Sequence, residues 1–164
     1  MAFIREQLLY DIANVAYVHA DVMPTDDDHA RHQVFDVIQD GNIDRVTRIL
    51  DVAYAEAVEL LYPFSKQQLC PLRPYFNDDT LQESDAYIID LKLPDNFSRT
   101  TLELILRYTH EYMVARVLAQ WLRIAGAPSD AWQQWYELYN DIEARIRSAL
   151  NARLSRTRRT LSPF

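Results

Sequence analysis

Glycine is the residue that this sequence most conspicuously lacks. Only 2 of its 164 residues are glycine, whereas glycine makes up about 7% of average protein sequences. Hairpin-rich all-β folds, dinucleotide-binding turns and phosphate-binding loops all depend on glycine, so its scarcity argues against each of them. Long helices need little glycine, and the chain is long enough for one domain with its own core.

Cysteine occurs once, at Cys70, so no intramolecular disulfide can hold the fold. A chain without disulfides suits a reducing compartment. Cys70 lies beside Pro71 and has no histidine partner nearby in the sequence. This setting favours a buried structural thiol over a nucleophile.

Long uncharged apolar runs are also missing. No stretch approaches the roughly 18 apolar residues of a membrane span. Residues 1–6 lack the basic and apolar regions of a signal peptide. We therefore expect a soluble protein that folds inside the cell and makes no membrane contact.

Acidic residues are absent after Glu143, although the whole chain carries a net charge of −7. Up to that residue, 11 basic residues face 24 acidic ones, a net charge of −13. An acidic body repels nucleic acid, so a contact with phosphate is expected only at the basic end. Alternatively, the arginines complement a helix C-terminus and keep it soluble. The candidate contact residues of this basic tail are Arg153, Arg156, Arg158 and Arg159.

Apolar residues recur at three- and four-residue spacings over most of the chain, which predicts a bundle of about five helices. The first covers residues 3–22, and the second, of about twelve residues, ends at residue 39. The others start near residues 43, 99 and 129, and glycine or proline marks the intervening breaks. We expect one helical domain over residues 1–154 and a flexible basic tail over residues 155–164.

Residues 87–93 alternate between apolar and polar side chains, which predicts a short β-strand. A lone strand cannot satisfy its own backbone N–H and C=O groups, so it needs a partner. Residues 68–75 could pair with it at an edge, where their prolines are tolerated. The alternative partner is a strand of another subunit. The predicted fold class is therefore all-α with one short β element.

Motifs that would carry chemistry are weak. His29 and His32 follow three aspartates and could share one helical face as metal ligands. Helix capping by the same acids is the alternative, since no third ligand has a supporting motif. His110 and Glu111 begin a zinc-protease pattern, but Val114 stands where its second histidine belongs. No Gly-x-Ser-x-Gly motif is present. We expect no enzyme, no catalytic or metal-binding residues and no cofactor.

Aromatic residues cluster around the turn between the last two predicted helices. We expect most of them to pack in the core, but the last helix carries more aromatic positions than one packing seam needs. Tryptophan and tyrosine are enriched where protein interfaces gain most of their energy. The candidate partner-facing residues are Trp132, Trp135, Tyr136 and Tyr139, together with Tyr87, Ile89 and Leu91 of the predicted strand.

The order of elements resembles that of small helical virion proteins of tailed bacteriophages and prophages, of the head–tail connector (adaptor) kind. The resemblance covers residues 25–62 and 85–155. It includes the acid-capped second helix, Asp40-Gly41-Asn42, the extended segment 87–97, the long helix over residues 110–122, and the basic tail.

This resemblance implies a structural protein without catalytic residues. It would form a ring of identical subunits, join the portal to the tail and line the channel through which DNA leaves. Its partners would be further copies of itself, portal and tail proteins, and DNA by non-specific contact. Its location would be the virion, after synthesis in the cytoplasm of the bacterial host.

Two other functions remain open. A bacterial regulatory or interaction domain would use the same aromatic residues to bind a protein partner through a helical groove, without needing the tail. A metal-dependent enzyme would use His29 and His32 with the acids nearby, and elemental analysis of the purified protein would decide that case.

Overall fold

Four helices and one short β-ribbon make up the described part of the chain. The computed structural model describes residues 1–22, 34–39, 41–62, 64–65, 85–95 and 97–152. The all-α class with one small β element is confirmed. The elements in chain order are β1 (Ala2–Ile4), α1 (Arg5–Val22), α2 (Ile43–Leu60), β2 (Ala86–Ile88), α3 (Arg99–Ile124) and α4 (Ser129–Ala152).

The second predicted helix falls mainly outside the described residues. Val34 and Phe35 are helical, and the prediction that this helix reaches residue 39 is wrong. The chain instead turns after Phe35, where the Val37 N–H donates to the Phe35 carbonyl at 3.0 Å. The turn buries Val37 in the core. The Trp121 indole N–H donates to the Val34 carbonyl at 2.9 Å and ties this segment to α3.

Helix α3 lies at the centre of the bundle and packs against α1, α2 and α4. Its middle is buried on nearly every side, with consecutive buried residues over 112–115 and 117–119. The predicted stop after α3 is confirmed: Gly126 has a φ of +79°, a conformation that costs glycine little. The Ala127 N–H donates to the Leu122 carbonyl at 2.9 Å and closes the helix end. Helix α4 then returns along α3 as a helical hairpin.

The β-ribbon corrects the expectation for the strand's partner. Strand β2 pairs antiparallel with β1, and Phe3 stands opposite Tyr87. The pairing extends past the strands, since Met1 and Ile89 exchange N–H···O bonds of 2.7 and 2.8 Å. Residues 2–4, expected at or beside the start of the first helix, are therefore a strand. Pairing with β1 gives the backbone N–H and C=O groups of β2 partners within the same chain, so this pairing does not require a strand of a second subunit.

The strand is also shorter than residues 87–93. Beyond Ile89 the segment leaves β1, and the Lys92 N–H donates to the Phe64 carbonyl at 2.8 Å. That bond directs the chain toward the end of α2 instead of extending the ribbon. The other proposed partner, residues 68–75, lies outside the described residues, as do Cys70 and residues 153–164.

All four helices and the ribbon contribute to one apolar core. The largest fully buried side chains come from each helix in turn and include Leu8, Ile12, Leu50, Met113, Leu118 and Ile146. Burial of this apolar surface stabilises the bundle. This core holds the hairpin of α3 and α4 in place, and a broad groove lies along the surface of that hairpin.

Candidate functional site

A broad groove runs along the α3–α4 hairpin. Its volume is about 960 Å³. One row of its lining comes from α3 and the other from α4, which brings three of the four predicted α4 aromatics to one surface. We call this surface the arginine–aromatic groove, defined by Arg116, Gln120, Arg123, Trp132, Tyr136 and Tyr139.

Helical spacing explains each row of the groove. Arg116 and Arg123 are seven residues apart, which puts them on one face of α3 two turns from each other. Trp132, Tyr136 and Tyr139 are spaced by four and three residues on α4. Sequence reasoning identified the aromatic row but missed the arginine row. The spacing of Arg116 and Arg123 was the available signal, but nothing local in the sequence shows that the two rows face each other.

Arg116 organises the inner end of the groove. Its guanidinium binds the Glu56 carboxylate of α2 with both oxygens, through Nε–Oε2 at 2.8 Å and Nη2–Oε1 at 3.0 Å. It also donates to the Gln120 Oε1 at 2.8 Å and lies 5.5 Å from the centre of the Tyr139 ring. The hydrogen bonds to Glu56 raise the pKa of Arg116 above its usual value. A bidentate ion pair of this kind fixes the orientation of the guanidinium plane.

Two tyrosines contact this ion pair, Tyr112 at Glu56 and Tyr139 at Arg116. Their rings meet edge to face at 5.9 Å, and the Tyr136 ring meets that of Tyr139 edge to face at 5.1 Å. Burial, followed by the nearby Glu56 charge, raises the pKa of Tyr112 above its usual value. Edge-to-face contacts thus join the three tyrosines into one aromatic row.

Arg123 differs from Arg116 in its surroundings. Its guanidinium lies 5.8 Å from the centre of the Trp132 ring, a cation–π contact. No carboxylate of the described residues lies within ion-pair distance of it. Tyr136, which lines the same groove, is 50% exposed. The outer end of the groove therefore presents an unneutralised guanidinium on aromatic surface.

Replacing Glu56 with glutamine should lower the free energy of unfolding by about 1–2 kcal/mol. The cause is that Arg116, only 21% exposed, loses the carboxylate that compensates its charge. Urea denaturation would measure the loss. Glu59→Gln on the same helix is the matched control, because Glu59 is exposed and should change stability by less than about 0.5 kcal/mol. A double-mutant cycle with Arg116→Met that shows no coupling would contradict this account.

Trp135, the fourth α4 aromatic, faces the other side of the helix. Its ring lies 5.8 Å from that of His19 on α1, which is also 5.8 Å from Phe35. The Trp135 Nε1 and His19 Nε2 atoms are buried, and neither has a hydrogen-bond partner among the described residues. Trp135 is therefore a packing residue between α4 and α1, separate from the groove.

Acidification should destabilise the protein partly through His19. Burial lowers the pKa of His19 below its usual 6.5. As the pH falls, His19 is therefore protonated in the unfolded chain at a higher pH than in the folded chain. The His19 contribution to stability is complete above pH 6.5 and is lost as the pH falls toward the lowered pKa. Urea denaturation between pH 8 and pH 5 should show a steeper loss for the wild type than for His19→Phe. Equal losses would show that His19 is not responsible.

His110 and Asp11 form a pair that sequence reasoning missed. The His110 Nε2 and Asp11 Oδ2 atoms are 2.8 Å apart, at the edge of a shallow apolar groove of about 300 Å³. A carboxylate that orients a histidine is one part of a general-base arrangement. Among the described residues that line this groove, none is serine, threonine or cysteine. The two residues are 99 positions apart, so no local motif could have indicated the pair.

Two of the predicted partner-facing strand residues lie in the core. Tyr87 and Ile89 are buried there, and Leu91 is half-buried against it. The Tyr87 hydroxyl donates to the Asp51 Oδ1 at 2.6 Å, and its ring packs against that of Tyr54 at 5.0 Å. Pairing with β1 turns Tyr87 inward. The prediction that Tyr87 and Ile89 contact a partner is therefore wrong, and that for Leu91 stays a prediction.

The remaining predicted contact and metal residues lie outside the described residues. They are the histidines His29 and His32 and the tail arginines Arg153, Arg156, Arg158 and Arg159. Within the ranges that are described, no three or more histidine, cysteine or acidic side chains are grouped to hold a metal. Among the helices that the structure describes, none combines the length and apolarity needed to cross a membrane.

No protein-family model matches the chain, and neither a curated protein nor a solved structure is similar to it. The chemistry of the arginine–aromatic groove is therefore the main structural basis for a functional proposal.

Proposed function

We propose that the chain is a non-enzymatic structural protein of a tailed-phage virion, of the head–tail connector kind. It assembles with other copies and with portal and tail proteins through the arginine–aromatic groove. The proposal joins two supports. The order of elements in the sequence suggests the class of protein, and the chemistry of the groove suggests how the protein makes contacts.

The composition of the groove is the observation that carries the proposal. Tryptophan, tyrosine and arginine are the residue types that contribute most binding energy at protein interfaces. Here they line one continuous groove, in which Tyr136 and Arg123 are exposed. The bundle already has a core drawn from every helix, so the fold does not need these side chains to be covered.

The charge distribution is consistent with a channel-lining role. The first 143 residues carry a net charge of −13, and like charge repels DNA phosphate. A DNA-exit channel must let DNA slide without holding it. The basic tail would then bind the acidic surface of a portal protein or the DNA.

Capture by portal or tail proteins tests this function. The wild type should form a complex with at least one of them in a pull-down, and Arg123→Ser/Tyr136→Ala should lose most of that binding. Leu104→Ser is the control, because Leu104 is exposed on α3 at a position away from the groove. Failure of the wild type to bind any such protein or to self-associate would contradict the proposal.

A helical protein-interaction or regulatory domain of a bacterium is the second candidate. The groove supports it equally well, since a groove of this composition does not depend on the basic tail. Deleting residues 155–164 separates the two candidates. Unchanged partner binding by the shortened chain would favour the interaction domain, and a marked loss would favour the connector.

A further inference from the structure

The β-ribbon has an exposed face that complements the groove. We infer that the arginine–aromatic groove of one copy binds the outer face of the β-ribbon of a second copy, in a head-to-tail contact. This inference rests on the proposed function and names the surfaces through which the subunits would join. The outer ribbon face is defined by Ile4, Ile88 and Asp90.

Exposed apolar side chains mark this face. Residues 2, 4, 86 and 88 share one side of the ribbon because paired strand residues point the same way, and Phe3 and Tyr87 occupy the other side. Ile4 is 56% exposed and Ile88 is 55% exposed. The outer side of a two-stranded ribbon over a core is ordinarily polar. Ile4 and Ile88 therefore make this exposed face of the ribbon apolar.

Charge complementarity selects the groove as the site for this face. Asp90 is exposed and lies two residues after Ile88, on the same side of the extended chain. The groove offers Arg123, which has no ion pair among the described residues, on the Trp132 ring, and its lining includes the exposed Tyr136. Arg116 of the same lining is already paired with Glu56, and the acidic Glu137 also lines the groove. Arg123 is thus the basic residue available to meet Asp90.

The two surfaces lie at different positions along α3. The ribbon packs beside Leu106 and Arg107, which line a shared groove with residues 2–4. The arginine–aromatic groove extends to Arg123, which is about 24 Å further along the helix at 1.5 Å per residue. One chain therefore carries both halves of the contact on separate surfaces. Such a contact is heterologous, and its repetition produces a closed ring or an open filament.

Two exposed substitutions test the contact. Arg123→Glu removes the positive charge of the groove, and Ile88→Glu adds an acid to the ribbon. Each should weaken self-association of the full chain by about tenfold or more in analytical ultracentrifugation. Arg99→Glu is the control for charge reversal, because Arg99 is exposed on α3 outside both surfaces. Circular dichroism and thermal melting establish that each variant is folded.

Mixing the two variants distinguishes a head-to-tail contact from a symmetric one. The Arg123→Glu chain keeps its ribbon, and the Ile88→Glu chain keeps its groove. One intact contact can then form between them, and the remaining groove and ribbon repel each other. The expected product is a 1:1 heterodimer that grows no further, which native mass spectrometry would detect.

The opposite results overturn the inference. Self-association that neither substitution weakens, or variants that form no heterodimer when mixed, would show that these surfaces do not join subunits. If the wild type stays monomeric up to millimolar concentration, the inference also fails. The proposed function survives the first two of these outcomes as long as the groove still captures a portal or tail protein, whereas a wild type that stays monomeric contradicts both.

Discussion

Replacing Phe3 with alanine is expected to lower the free energy of unfolding by about 3–5 kcal/mol. Phe3 is only 5% exposed although it is the third residue of the sequence. Its ring packs on the inner face of the ribbon opposite Tyr87, and alanine would leave a cavity there. Urea denaturation followed by circular dichroism measures the loss.

Ile4→Ala provides the control for the Phe3 substitution. Ile4 belongs to the same three-residue strand, but its side chain faces outward, so alanine should cost less than about 0.5 kcal/mol. A small effect at Phe3, or equal effects at both positions, would contradict the pairing of β1 with β2. The comparison therefore tests the strand partner as well as the burial of one ring.

Leu118→Ala in the middle of α3 is expected to cost about 2–5 kcal/mol of unfolding free energy. Leu118 is 0% exposed and lies where α3 is surrounded by the other helices. Leucine and alanine are both strong helix formers, so the loss reflects packing and not helix propensity. Thermal and urea denaturation should both show it.

Leu104→Ala is the matched control, because Leu104 lies on the same helix and is 42% exposed. It should change stability by less than about 0.5 kcal/mol. Comparable losses at Leu104 and Leu118 would show that α3 is not the central helix. Because Leu118 lies between Arg116 and Gln120 in sequence, its loss would also loosen the groove. Binding tests of the groove are therefore better made with exposed residues such as Arg123.

The helices were predictable because their signals are local. Apolar spacing located α1, α2, α3 and α4 to within a few residues, and Gly126 marked the turn of the hairpin. Side chains three and four residues apart lie on one helical face whatever else the chain does. The short strand β1 escaped detection, since a pattern with period two cannot be recognised over three residues.

The aromatic residues of α4 show where local reasoning stops. Their spacing indicated an excess of aromatic positions, but Trp135 packs on His19 while Tyr136 lies exposed in the groove. These neighbours in sequence point about 100° apart around the helix, so the placement of α1 and α3 determines which one is covered.

Composition and periodicity alone established a glycine-poor helical protein with an acidic body and a basic end, because these properties depend on residue types and short spacings. Only the tertiary structure determined how distant residues pair and which side chains are exposed. These features are the partner of β2, the Arg116–Glu56 pair, the His110–Asp11 pair, and the exposure of Ile4 and Ile88. Each depends on residues dozens of positions apart that meet only when the helices pack. Side-chain burial and pairing are properties of that packing, and a local sequence pattern does not contain them.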